Sequence, residues 1–268
     1  MLRRTVLFLL LLPSLCFSWT RFYFAPDFYY YKFSQKSSGI FNVDESGYLT
    51  RYRIGVDSMN PFSLYYGLEI SRVDAKVKHI NDLLSLRTKA KNSVSNYEGR
   101  LGMCLALGQR FYFVPLFALG YHFWTRTTKE IEDSKYRYAW TYKGYGFRSY
   151  FFVNDVFDFG VFFKIMQPSK VDLKVDCNSN IDALTVCISY LHGKWPKLKL
   201  KNKLQYELQV PLYFHLPRFR LIDIGLVPYF KNMDLGESDR KDSNNAEYFY
   251  AGSREYNIGL RIEIGLNL

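Results

Sequence analysis

Cysteine is scarce in this chain, at four in 268 residues, and histidine and tryptophan are no commoner. Cys16 lies in the N-terminal segment, which leaves Cys104, Cys177 and Cys187, an odd number for a disulfide framework. A Cys177–Cys187 bridge is open to an oxidising compartment; buried free thiols at Cys104 and Cys187 are the other reading. His79, His122, His192 and His215 fall in no metal-ligand spacing, and there is neither a glycine-rich phosphate loop nor a nucleophile elbow. No metal, cofactor or enzymatic chemistry is therefore expected, and each histidine reads as a solvated or interfacial residue.

Also missing is an apolar run of the roughly 20 residues that a membrane-crossing helix needs. The short run Thr5 to Leu12 follows Arg3 and Arg4 and precedes Pro13, with the small residue Ser18 beyond Cys16 and Phe17. Residues 1–18 read as a Sec-type signal peptide, too short for a retained anchor. A lipoprotein site at Cys16 is disfavoured by Leu15, where such sites carry Gly, Ala or Ser. Residues 19–268 contain no Pro-, Gly- or Ser-rich linker and read as one domain.

What is abundant is aromatic: 23 tyrosines and 23 phenylalanines, 19% of the chain with tryptophan, under a slightly negative mean hydropathy. Apolar and polar residues must then be interleaved. The C-terminus shows how. Tyr256, Ile258, Leu260, Ile262, Ile264, Leu266 and Leu268 alternate with Asn257, Gly259, Arg261, Glu263, Gly265 and Asn267, a strand with one greasy and one polar face. The same design recurs upstream. Tyr48, Thr50, Tyr52, Ile54 and Val56 oppose Leu49, Arg51, Arg53 and Gly55, and a turn at 57–61 leads to Phe62, Leu64, Tyr66, Leu68 and Ile70, opposed by Tyr65, Gly67 and Glu69. Further hairpins turn at Gly108-Gln109-Arg110, at Asn154-Asp155 and near His215 to Arg218. A first strand runs from Arg21 to Ser34 with Phe22, Phe24, Phe28 and Tyr30 on one face, although Pro26 lies inside it.

Between these hairpins, Arg72 to Ser95, Thr125 to Ala139 and Lys231 to Ser253 are charged and poor in apolar pattern, and read as long loops. Short turns alternating with long loops suit a barrel better than a sandwich. Ile181 to Leu191 reads as a good strand and Val171, Leu173 and Val175 as a weak one; counting them gives twelve strands, dropping them ten. Stretches of about ten residues match strands tilted across a bilayer, where soluble strands run nearer five or six. Aromatics near the strand ends, namely Tyr48, Phe62, Phe111, Trp124, Trp140, Phe157, Phe214, Phe230 and Tyr256, are expected in two interfacial girdles. A soluble β-sandwich or lipocalin is the competing fold.

In its signal peptide, alternating strands, short turns against long loops and amphipathic last strand, the chain resembles bacterial outer-membrane β-barrel proteins. The resemblance implies an all-β fold: a single antiparallel transmembrane β-barrel of about twelve strands (alternatively ten or eight), with short periplasmic turns and long extracellular loops. It further implies that Tyr256 to Leu268 is the signal read by the barrel-assembly machinery, although the family ends that strand in Phe or Trp and this chain ends in Leu268.

On that reading the lumen is lined by Arg51, Arg53, Arg100, Arg148, Lys164 and Arg261 with Glu69, Glu98, Asp158, Glu207, Asp223 and Glu263. Balanced charges fit a salt-bridged filling. They also fit a polar constriction narrowed by Tyr65, Tyr150 and Tyr229. The formal charge of +11, or +9 once Arg3 and Arg4 leave, points in an envelope protein to lipopolysaccharide phosphates or small anionic solutes, not to nucleic acid. Lys76, Lys78, Arg87, Lys89 and Lys91, in the expected outer loop, are candidates to hold lipopolysaccharide or another external ligand. Two functions result: a passive, porin-like channel for small solutes, or a non-conducting surface barrel whose basic loops bind.

Overall fold

In the computed structural model the described residues are 19–37, 41–59, 63–82, 85–129, 133–178, 197–219, 221–239, 241–243, 246–248 and 250–268. Several sequence expectations lie outside them: the signal segment 1–18, the turn residues Asn60 and Pro61, the girdle aromatic Phe62, the strand 181–191 that contains Cys187, and His192. Cys104 is buried and not in a disulfide.

Alternation at period two gives strands throughout: β1 (Trp19–Ser37), β2 (Phe41–Met59), β3 (Leu64–Asn81), β4 (Leu86–Met103), β5 (Phe111–Lys129), β6 (Asp133–Phe152) and β7 (Phe157–Asn178). Strand β8 is broken into Leu198–Asn202, Gln205–Gln209 and Leu212–His215, and β9 (Ile222–Ser238) and β10 (Ser253–Asn267) complete the ring, while Lys241–Ser243 and Ala246–Tyr248 pair as a separate two-stranded sheet. Every strand pairs antiparallel with the next, and β10 pairs with β1. Thr20 and Leu268 exchange backbone hydrogen bonds across that seam. Among the described residues the sheet is thus closed into a barrel.

Among the described residues ten strands close the ring, where the sequence favoured twelve. The weak segment at Val171, Leu173 and Val175 is the upper part of β7. Lys170 has φ of 52°, and the β6–β7 register shifts between Ala139 and Thr141. Such a β-bulge inserts one residue and flips the facing of everything beyond it. Val171, Leu173 and Val175 therefore face inward like Lys164 and Met166, although their numbering has the opposite parity.

The three expected long loops are also mostly strand. Strands β3 and β4 pair continuously out to Asn81 and Leu86, β5 reaches Lys129 opposite Asp133, and β9 runs to Ser238. They escaped the pattern because the hydrophobic parity inverts halfway along. On β3, Leu64, Tyr66, Leu68 and Ile70 face outward, and then Val73 and Val77 face inward while Arg72, Asp74, Lys76 and Lys78 face out.

The barrel consequently has two storeys. Near the end holding Trp19 and Leu268, alternating apolar side chains such as Leu64, Tyr66, Leu68 and Ile70 on β3 and Ile258, Leu260, Ile264 and Leu266 on β10 form an outer belt, as hydrocarbon around a barrel requires. Its upper margin is marked by exposed Tyr30, Tyr48, Tyr97, Tyr121, Tyr145 and Tyr206. Above it the exterior is charged and the interior is an apolar core of Tyr31, Phe33, Trp124, Tyr138, Leu173 and Leu198 with their neighbours. Trp124 and Trp140, expected in a girdle, lie inside this core, because Tyr112 to Arg126 and Tyr138 to Tyr150 present their even-numbered residues to the lumen. Tyr48 and Phe214 are exposed on the belt as expected.

Glycine is required where lumen tyrosines lie flat on a neighbouring strand. A Cβ on Gly55 would come within 2.3 Å of the Tyr23 ring, and one on Gly120 within 2.1 Å of Tyr142. Both glycines are register partners of the tyrosines that cover them.

Candidate functional site

Because belt residues on one parity face outward, the other parity of the lower storey delivers charge to the lumen. All twelve sequence-predicted lumen residues are buried inside the barrel. Removing ions from water costs several kcal/mol each unless they are paired; eleven of the twelve pair with a carboxylate, arginine or lysine, and Asp158 is hydrogen-bonded to His215. Arg53 Nη1 donates to Glu69 at 2.6 Å and Arg261 Nε lies 2.8 Å from Glu263. Lys164 bridges Glu98 and Glu207, the latter at 3.3 Å.

The other partners are residues that sequence reasoning missed. Asp27 accepts from Arg51 and Arg53, each at 2.7 Å. Arg21 holds Asp223 and Glu263, both at 2.6 Å. Asp57 takes Arg148 at 2.7 Å and Arg100 at 3.3 Å. Arg21 and Asp27 were legible as the positions opposite Phe22, Phe24 and Phe28, whereas Asp57 was hidden by its assignment to a turn. The tyrosines expected to narrow a channel are wired into the same belt. Tyr65 donates to Asp57 at 2.6 Å, Tyr150 accepts from Arg148 at 3.0 Å and Tyr229 from Arg51 at 2.9 Å.

Two of the three described histidines, His79 and His122, depart from expectation, whereas His215 is partly exposed as expected. His122 is buried against Trp140, with ring centroids 4.2 Å apart and planes tilted by 30°. His79 is fully buried in the upper core, its Nδ1 2.9 Å from Glu45, which Arg126 contacts at 2.6 Å. Burial alone would raise the Glu45 carboxyl, yet Arg126 and the hydrogen bond from His79 hold it below the usual carboxylate range. His215, at the opposite rim, lies 2.6 Å from Asp158.

The candidate binding cations Lys76, Lys78, Arg87, Lys89 and Lys91 sit on outward faces of β3 and β4, not in a loop. Register sets Lys76 directly across from Lys91 and Lys78 across from Lys89. The first charged position above the belt, Arg72, is already paired to Asp74 at 2.8 Å. The last-strand residues Tyr256, Ile258, Leu260, Ile262, Ile264 and Leu266 face outward along the strand that closes the barrel against β1 and β9.

No protein-family model and no curated protein matches this chain. Solved structures do. The outer membrane protease OmpT from Escherichia coli superposes with a TM-score of 0.62 at 8% identity, over 96% of this chain and 98% of that one. The translocator domain of the autotransporter NalP from Neisseria meningitidis gives 0.48 at 12% identity, over 99% and 94%. The Pseudomonas putida toluene transporter TodX gives 0.36 at 7% identity, over 97% and 92%. The fold is that of the outer-membrane β-barrels. Likeness at 8% identity shows the fold alone, so activity must be argued from this chain's own sites.

Proposed function

We propose that this protein is a non-conducting barrel of the outer membrane, exported by the signal at residues 1–18, whose basic outer face engages lipopolysaccharide phosphates. The observation that carries the closed reading is the filling of the lumen: a belt of buried ion pairs in the lower storey, capped by the aromatic core of the upper one. A passive pore for small anionic solutes, the other function open to the sequence, would need that filling to part. The basic face is supported by its chemistry and its height. Like charges directly across a sheet repel, and bound anions relieve Lys76 against Lys91 and Lys78 against Lys89. The ladder lies on the charged exterior above the belt, beginning six residues along β3 from Ile70. We further infer that the barrel-assembly machinery reads the closing strand from Tyr256 to Leu268.

Single-channel recording in planar bilayers tests the closed reading. Silence is expected; stepwise conductance whose selectivity changes in Arg53→Glu would return the protein to the pores. Replacing Lys76, Lys78, Lys89 and Lys91 together by Gln should weaken lipopolysaccharide binding and its salt dependence, each cation near an anionic surface contributing about 1 kcal/mol. Unchanged affinity would remove the basic face from the proposal.

A further inference from the structure

At the barrel end that carries Trp19 and Leu268, the filling stops short of the mouth and leaves a cavity of about 320 Å³. Its walls are aromatic: Trp19, Tyr112, Tyr150, Phe152 and Tyr213 all line it. Trp19 and Tyr150 meet edge to face with centroids 6.0 Å apart, as do Tyr112 and Phe152 at 5.3 Å, so rings turn toward the space at differing angles.

The hydrogen-bonding inventory of the charged lining is one-sided. Arg21 spends Nε and Nη2 on Asp223 and Nη1 on Glu263. Asp223 also receives Asn267 at 2.8 Å, and Asp57 takes Arg148 on one oxygen and Tyr65 on the other. Asp158 differs. It is only 3% exposed, its Oδ2 takes His215, and its Oδ1 has no hydrogen-bond partner among the described residues. The cavity is thus lined by a carboxylate whose second oxygen is buried without a partner, by π-faces, and by an Arg21 whose guanidinium nitrogens are all committed. A buried acceptor left without a donor is costly. Aromatic faces attract cations through their quadrupoles.

From this geometry we propose that the cavity is a binding site for a small organic cation, an ammonium group on a flat apolar body, with the nitrogen on Asp158 and the body among Trp19, Tyr150 and Tyr213. His215 is the gate residue, since its side chain already occupies the second oxygen and is partly exposed at the mouth. The site asks nothing of a through-channel and is independent of whether the barrel conducts.

Titration calorimetry on the detergent-purified protein tests it with three probes of similar shape: phenethylamine, phenethyl alcohol and hydrocinnamate. Saturable binding of the amine is expected, with the alcohol and the acid at least about ten-fold weaker, the ratio of one charge-assisted contact. Asp158→Asn should lose about ten-fold in amine affinity and leave the alcohol unchanged. Should Asp158→Asn fail to give the heat-modifiable band of a folded barrel, Trp19→Ala at the strand end supplies the second variant and is expected to weaken the amine selectively. Equal affinity for amine and alcohol would mean an apolar cavity or micelle partitioning, and preference for the acid would mean an anion site; either result overturns the proposal.

Discussion

The two storeys of this barrel are built from the same ten strands, yet they invert each other. Below the tyrosine margin the exterior is apolar and the lumen holds ion pairs such as Arg53 with Glu69; above it the lumen holds Phe33, Trp124 and Leu173 and the exterior holds Lys76, Lys89 and Lys91. The difference teaches where each part finds its solvent. Hydrocarbon can surround the lower storey, so polarity must be internal and paired; water surrounds the upper one, so it is folded like a soluble barrel with a core.

The inversion can be broken most severely from inside the lower storey. Asp27→Ala leaves Arg51 and Arg53 buried without their shared carboxylate, and loss of a buried partner costs about 3–5 kcal/mol. The midpoint of urea unfolding in micelles, read by heat-modifiable migration, should fall accordingly. A silent Asp27→Ala would mean that the ion-pair belt does not hold the barrel. In the upper storey the equivalent injury is a cavity. Leu173→Ala should cost about 2–5 kcal/mol by the same assay, and an effect near zero would mean the upper core is loosely packed.

Outward positions sharpen the contrast further. Leu68→Lys places a charge on the belt and should cost about 2–4 kcal/mol, while Lys76→Leu, eight residues along the same strand, should stay within about 0.5 kcal/mol. Equal costs for the two would erase the boundary between the storeys. The smallest effect concerns pH. The folded Glu45 carboxyl is held below its ordinary range, so it contributes stability above that range and loses the contribution as pH falls through it. Unfolding midpoints should decline on acidification, and Glu45→Gln should flatten that slope; an unaltered slope would assign the decline to other carboxylates.

Much of this was legible in the sequence. Alternation located the belt and the short hairpin turns, and it placed all twelve predicted charges on the inner face, because side-chain direction in a strand depends only on parity. The reading failed where a rule that holds locally was reset. At Lys170 a bulge shifted parity and made the upper half of β7 look like a weak separate strand. Beyond Ile70 the pattern continued with its polarity reversed, so strands filled with Arg and Lys on the outward side passed for a loop, and His79 passed for a solvated residue. Trp124 and Trp140 were assigned to a girdle by their place near strand ends, although their parity with His122 and Tyr142 places them inside.

By itself, then, the sequence determined that this chain is all β, which residues share a face, and that one storey suits hydrocarbon outside, since those properties follow from a two-residue period. Only the tertiary structure decided the strand number, the partner of each buried charge and which side chains meet inside the barrel. Arg21 meets Asp223 across 202 positions of sequence, and nothing local to either residue records a contact that exists only once β10 has closed on β1.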